Sequence, residues 1–241
     1  MPVIWAIMRR DLLQAFTTPL AWLVLAAWTF LTNGVFYLTL NSYQGTGGAE
    51  RPLSLDALDL GVFFLTLLAP ALTMTAFSAE RAQGTMQLLM TSPIREHHLV
   101  LGKWLAVLAV LVALVAATLP HQLVLLVVSA VHGPSLIAGY LGLLLACCLF
   151  SGLGVWISLL VDSPVSAYVI TFAAIAVLVL LGIMPPGTWA GTIGQALGVG
   201  AHSRPFMDGR VALGDVMYFL VGTAAFLLMA HAALQAKRIH G

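Results

Sequence analysis

Long apolar runs alternate with short polar interruptions along almost the whole chain. The exception is the start, where Val3, Ile4, Ile7, Leu12, Leu13 and Phe16 are interleaved with Arg9, Arg10 and Asp11. That stretch is too charged to cross a bilayer and apolar enough to lie on one, which predicts an amphipathic interfacial helix over residues 1–18. Pro19 precedes a first run over 20–40, which meets the roughly 20 residues needed to cross about 30 Å of hydrocarbon. Gly45, Gly47, Gly48 and Pro52 mark residues 41–56 as a loop. A second run covers 57–77, with Pro70 expected to bend it. A third covers 99–131, about 50 Å if helical throughout. That exceeds a bilayer, so the helix either tilts and projects beyond it or is broken near the far interface by Pro120, beside His121 and Gln122; projection with a kink is the favoured expectation. His132, Gly133 and Pro134 make a turn before a fourth run over 135–161. Asp162, Ser163 and Pro164 make a very short turn before a fifth, ending near 183. Residues 184–213 are interrupted by glycine and proline and end in the polar stretch HSRPFMDGR. They are predicted to form one or two short helices at the membrane interface, covered by other helices that shield their loose backbone groups. A sixth run over 214–234 leads to Lys237, Arg238 and His240.

The expected fold is therefore all-α and polytopic, one membrane domain over residues 1–241. Composition agrees, since 61% of residues are hydrophobic and 8% are charged, against about 25% charged in soluble domains. A net charge of +1 gives no basic field for phosphates, so nucleic acid is not an expected partner. The start lacks the pattern of a cleavable signal and is expected to remain attached. Cys147 and Cys148 are adjacent in an apolar run and are expected to pack as small apolar side chains. With both termini inside, Arg9, Arg10, Arg81, Arg95, Lys103, Lys237 and Arg238 are cytoplasmic and Arg51, Arg204 and Arg210 are not. That bias satisfies the positive-inside rule.

Familiar catalytic chemistry is not legible. The Gly102–Lys103 pair has His97 where a phosphate-binding loop requires its first glycine, and Trp104 follows it. Neither a nucleophile elbow nor an H-E-x-x-H helix occurs. Glu96, His97 and His98 are consecutive, and adjacent helical residues point about 100° apart, so the imidazoles would not converge on a metal. The runs hold almost no ionisable groups, whereas an ion-coupled carrier usually places carboxylates near mid-membrane. Asp162 lies at a turn and Asp215 at the beginning of a span. A transporter subunit driven by ATP hydrolysed on another chain requires no such carboxylates.

The central interval, FSAERAQGTMQLLMTSPIREHHLVLGK, carries Glu80, Gly84, Thr85, Leu88, Leu89, Ser92, Pro93, Gly102 and Lys103 in order. Gly139, Tyr140, Leu141, Gly142 and Ser158 follow in the fourth run. His202, Pro205, Phe206, Gly209, Asp215, Tyr218 and Phe219 surround the last loop. In this order the chain resembles the permease subunits of type-2 ABC transporters, most closely the gliding-motility-associated group. The Asp162–Ser163–Pro164 turn departs from the more amide-rich turn expected there.

The resemblance implies a non-catalytic permease in the cell inner membrane that pairs with itself or a similar subunit. It also implies separate ABC ATPase subunits that hold the ATP and magnesium, with no cofactor in this chain. The coupling segment would be 78–100, through Glu80, Gly84, Thr85, Leu88, Leu89, Ser92 and Pro93. The residues suit that role: Gly84 permits a bend, and Met86, Leu88, Leu89 and Met90 offer an adaptable apolar surface. Ser92 would cap the next helix, Pro93 suits its first turn, and Glu96 faces its positive end. An ordinary loop against lipid headgroups is the plainer alternative. The resemblance also places short gate helices at 184–213, with Trp189, His202, Arg204 and Asp208 as candidates, against which stand an interfacial anchor and solvated surface charges. Export is expected, of a cargo the residues do not name. A mechanotransmitting permease, an outer-face intramembrane enzyme using His121, His202 or Asp208, and a self-sufficient carrier are the remaining readings.

Overall fold

The structure, a computed structural model, describes residues 2–46, 53–86, 94–128, 133–185 and 187–240. The described residues form helices only, and six helical stretches are long and apolar enough to cross a membrane. The chain is an all-α polytopic membrane protein. Helix α1 (Pro2–Thr17) is followed, after the single bend residue Thr18, by α2 (Pro19–Thr46). Then come α3 (Leu53–Thr73), the one-turn α4 (Ser78–Ala82) and α5 (Glu96–Ala116). Helices α6 (Leu119–Val128), α7 (Gly133–Leu160) and α8 (Pro164–Leu181) follow. Two short helices, α9 (Trp189–Leu197) and α10 (Val199–Met207), precede α11 (Leu213–His240).

Several boundaries differ from the sequence expectation. Helix α2 runs on to Thr46 and α3 begins at Leu53, so the predicted loop over 41–56 shrinks to 47–52, which lies outside the described residues. The long third run is not one kinked, projecting helix. It breaks at Ala117 and Thr118, before Pro120, because a proline in the first turn of the following helix forfeits no helical hydrogen bond. Thr118 holds the break: its hydroxyl lies 2.7 Å from the Val115 carbonyl and 2.9 Å from the Tyr140 hydroxyl. Pro70 lies inside α3 without ending it. Residues Met184 to Leu213 hold the two short helices.

Helix α7 is the centre of the bundle. It packs against α3, α5, α10 and α11, and 78% of its most apolar window is buried, against 17% for α8 and α11. Its glycines explain the closeness. A Cβ at Gly154 would collide with the Thr73 side chain of α3, and one at Gly142 would fall 2.7 Å from Cβ of Phe206 in α10. Between membrane helices, where lipid is as apolar as leucine, such approach of backbones is what association gains from. Around α7 the largest fully buried side chains include Trp28, Phe150, Phe206 and Phe219.

Candidate functional site

One end of the bundle gathers the N-terminal ends of α5 and α8, the C-terminal ends of α7 and α11, and all of α1 and α4. Helix α4 is short because Met74 to Phe77 break the helix that carries α3. Its N-cap, Phe77, provides no side-chain cap. The first backbone N–H groups of a helix need acceptors from elsewhere, and here Ser158 of α7 provides one. The Ser158 hydroxyl accepts the N–H groups of Phe77 at 3.0 Å and Ser78 at 3.1 Å, and donates to the Met74 carbonyl at 3.1 Å. The Ser78 hydroxyl also donates to the Met74 carbonyl. A single hydroxyl thus fixes the step from α3 to α4 onto α7.

Glu80 and Arg81 of α4 reach in different directions. Glu80 Oε1 lies 2.9 Å from Lys103 Nζ on α5 and 3.4 Å from the Arg10 guanidinium on α1. Lys103 Nζ is also 3.3 Å from Asp11 Oδ2 and stands 5.0 Å from the centre of the Phe77 ring. The lysine side chain is only 4% exposed. A buried ammonium is tolerated because two carboxylates and an aromatic face replace its water. Gly102 lets this happen: a Cβ there would fall 2.8 Å from Cβ of Ile7, so glycine lets α1 lie close against α5. On the other side, Arg81 meets Asp162 in the α7–α8 turn at 2.9 Å and the Leu159 carbonyl at 3.1 Å. Lys237 of α11 donates to that same carbonyl at 2.7 Å. Arg238 pairs with Glu96, in the first turn of α5, at 2.5 Å.

Of the coupling residues expected from the sequence, Glu80 is in this junction. Gly84 follows α4 with φ +70°, the left-handed conformation glycine accepts without strain. Thr85 is exposed, and its hydroxyl bonds back to the Glu80 carbonyl at 3.2 Å. Leu88, Leu89, Ser92 and Pro93 lie outside the described residues. The expected helix start at Ser92 and Pro93 is corrected in one respect: α5 begins at Glu96, and Arg95 with extended backbone is its N-cap, so Ser92 does not cap it. Asp11, Arg10 and Asp162 escaped sequence reasoning as members of this cluster. The one signal they gave was their place in short polar interruptions that the topology sends to the same end.

At the opposite end, His202 and Asp215 tie α10 to α11, with Nδ1 2.7 Å from the carboxylate. The imidazole stacks on Tyr218 with ring centres 4.0 Å apart, and the Tyr218 hydroxyl donates to the Leu197 carbonyl at 2.6 Å. Trp189 is 82% exposed, and among the described residues no hydrogen bond or ring contact joins it to His202. Arg204 and Asp208 are exposed on α10 and at its end. The structure thus links His202, one of the four gate candidates, with Asp215 and Tyr218. The side chain of His121 lies outside the described residues. Groups of three or more metal-binding side chains are absent among the described residues.

Comparison with known proteins gives two results. The family model described as "ABC-2 family transporter protein" matches residues 5–197. A curated relative, the "Probable ABC transporter permease protein NosY" of Pseudomonas aeruginosa, is 31% identical over 108 residues. That match covers 44% of this chain and 38% of the relative's length.

Proposed function

Because this chain belongs to the ABC-2 family of transporter proteins, we propose that it is the membrane permease subunit of an ATP-driven exporter. Its partners would be separate ABC ATPase subunits, docked at the end of the bundle that carries α1 and α4, and a second permease subunit. The order of motifs favours the gliding-motility-associated group within the family. The end bearing α4 is the cytoplasmic one in this reading, since seven of the ten basic residues belong to it by sequence. Both termini would then face the cytoplasm of the cell inner membrane.

The observation that carries the reading is the attachment of α4. A push on this one turn of helix is passed to α7 through Ser158, to α5 and α1 through Glu80, Lys103 and Asp11, and to the α7–α8 turn through Arg81 and Asp162. An ATPase engaging the segment that follows α4 would therefore grip four helices at once. Gly84 ends α4 and turns the chain toward that segment, whose Leu88 and Leu89 provide apolar contact. At the far end, α9 and α10 form the gate, held to α11 by His202 and Asp215. The permease carries out no covalent chemistry in this scheme, and ATP and magnesium reside on the ATPase.

The test is purification from the native membrane in mild detergent with identification of companion proteins. A P-loop ATPase is expected with the unaltered chain and is expected to be lost when Leu88→Asp and Leu89→Asp are introduced together. Retention of the ATPase by that double variant would refute docking at this segment. Absence of any ATPase would refute the subunit assignment.

A further inference from the structure

Two buried polar side chains from different helices meet at one small cavity. Trp28 of α2 is fully buried, and Gln122 of α6 is only 4% exposed. Both line a cavity of about 20 Å³, lined also by Thr32 of α2, Gly61 of α3, Thr118, and Leu143 of α7. The indole N–H of Trp28 and the side-chain oxygen of Gln122 have no hydrogen-bond partner among the described residues. Buried polar groups are seldom left so, because each then forfeits the water it had in the unfolded chain. The bilayer sharpens the demand. Trp28 stands nine residues beyond Pro19, about 14 Å along the helix, at a depth where lipid tails offer neither group a partner.

The pair determines what can sit between them. The indole requires an acceptor and the Gln122 oxygen requires a donor, so the occupant must be both. A cation would face the indole N–H and an anion the amide oxygen, and among the described residues no charged side chain lines the cavity to offset either. A neutral hydroxyl meets both demands. Size narrows the choice further, since a water needs a cavity of roughly 10–15 Å³ and this one has room for a single molecule. A buried water typically makes about three hydrogen bonds, and the wall has an acceptor for its second hydrogen. The Thr32 hydroxyl donates to the Trp28 carbonyl at 2.8 Å, and the Thr118 hydroxyl lies 2.7 Å from the Val115 carbonyl. Each of these oxygens keeps a lone pair with which to accept.

We infer that this cavity is a binding site for one internal water molecule, which accepts from Trp28 Nε1–H and donates to Gln122 Oε1. The water joins α2 to α6. Helix α2 packs against α1, α3 and α5, yet only 22% of its most apolar window is buried, so a polar tie within the membrane adds to few interior attachments. A water can turn between its partners as the helices shift, and the tie therefore survives small displacements of α2 that would break a direct bond. The site is defined by this chain's own walls and does not depend on an ATPase partner.

The experiment is nuclear magnetic resonance of the full-length chain in detergent micelles, with its six tryptophans labelled at the indole nitrogen. The Trp28 signal is identified by its loss in Trp28→Phe. A dipolar contact between that indole proton and water is expected, with the sign that separates it from chemical exchange. Gly61→Ala adds a methyl group to the cavity wall, 3.3 Å from the end of the flexible Leu143 side chain and 3.8 Å from the Trp28 ring, and should abolish the contact. It leaves the hydroxyls of Thr32 and Thr118 in place, so loss of the contact there excludes a signal relayed through them. Gln122→Met keeps the length of the side chain without its oxygen and should weaken the contact several-fold. The five other indole signals show whether each variant keeps its fold. Absence of a water contact in the unaltered chain, contact with detergent head-group protons in its place, or an undiminished water contact in either folded variant would overturn the inference.

Discussion

Ser158 shows how one hydroxyl determines a junction. It sits in an otherwise apolar stretch of α7, yet satisfies two backbone N–H groups 80 and 81 residues earlier in the chain. Ser158→Ala leaves these donors without their partner in a buried setting. A loss of about 1–3 kcal/mol is expected, measured as a lower unfolding midpoint in detergent, whereas Ser158→Thr, which keeps the hydroxyl, should retain most of the stability. Equal losses in both variants would show that size rather than hydrogen bonding matters there. Lys103 teaches a related lesson. The sequence places it among loop charges entering a span, but its surroundings come from Asp11, 92 residues away, and Glu80, 23 residues away. Burial of that kind is invisible to a local reading, because each partner looks like an ordinary hydrated charge until the helices meet.

Elements were more legible than contacts. A 20-residue apolar window announces a span whatever it packs against, and so all six were readable from the chain alone. Their ends were not. The break at Thr118 rather than Pro120 follows from a hydroxyl and a first-turn proline, and α5 starts at Glu96 after an extended Arg95 that provides no side-chain cap. The short helices between α8 and α11 were expected from broken apolar stretches, while the His202–Asp215 link between them and α11 needed the fold. Asp215→Ala removes the charge-assisted part of that link. Backbone hydrogen exchange in α10 is expected to rise by about tenfold, with exchange in α7 unchanged. A uniform rise across the protein would indicate general destabilisation instead and contradict a local tie.

At the scale of the whole molecule, the alternation of six spans places Gln235 and Val211 at opposite ends. Single cysteines at these exposed positions report orientation. Val211→Cys is expected to react with a membrane-impermeant maleimide added outside intact cells, and Gln235→Cys only after permeabilisation. The native Cys147 is buried and Cys148 half-buried in α7, which limits background. Reaction of both from the same side would contradict the proposed topology. Helix α7 also has a consequence for how the chain is made. Thr73 awaits Gly154, and the N–H groups of Phe77 and Ser78 await Ser158. During synthesis from the N-terminus, the first three spans therefore enter the bilayer before the surface that locks them exists. Their final arrangement is postponed until the ribosome has delivered the fourth, and the nascent chain must be sheltered over that interval.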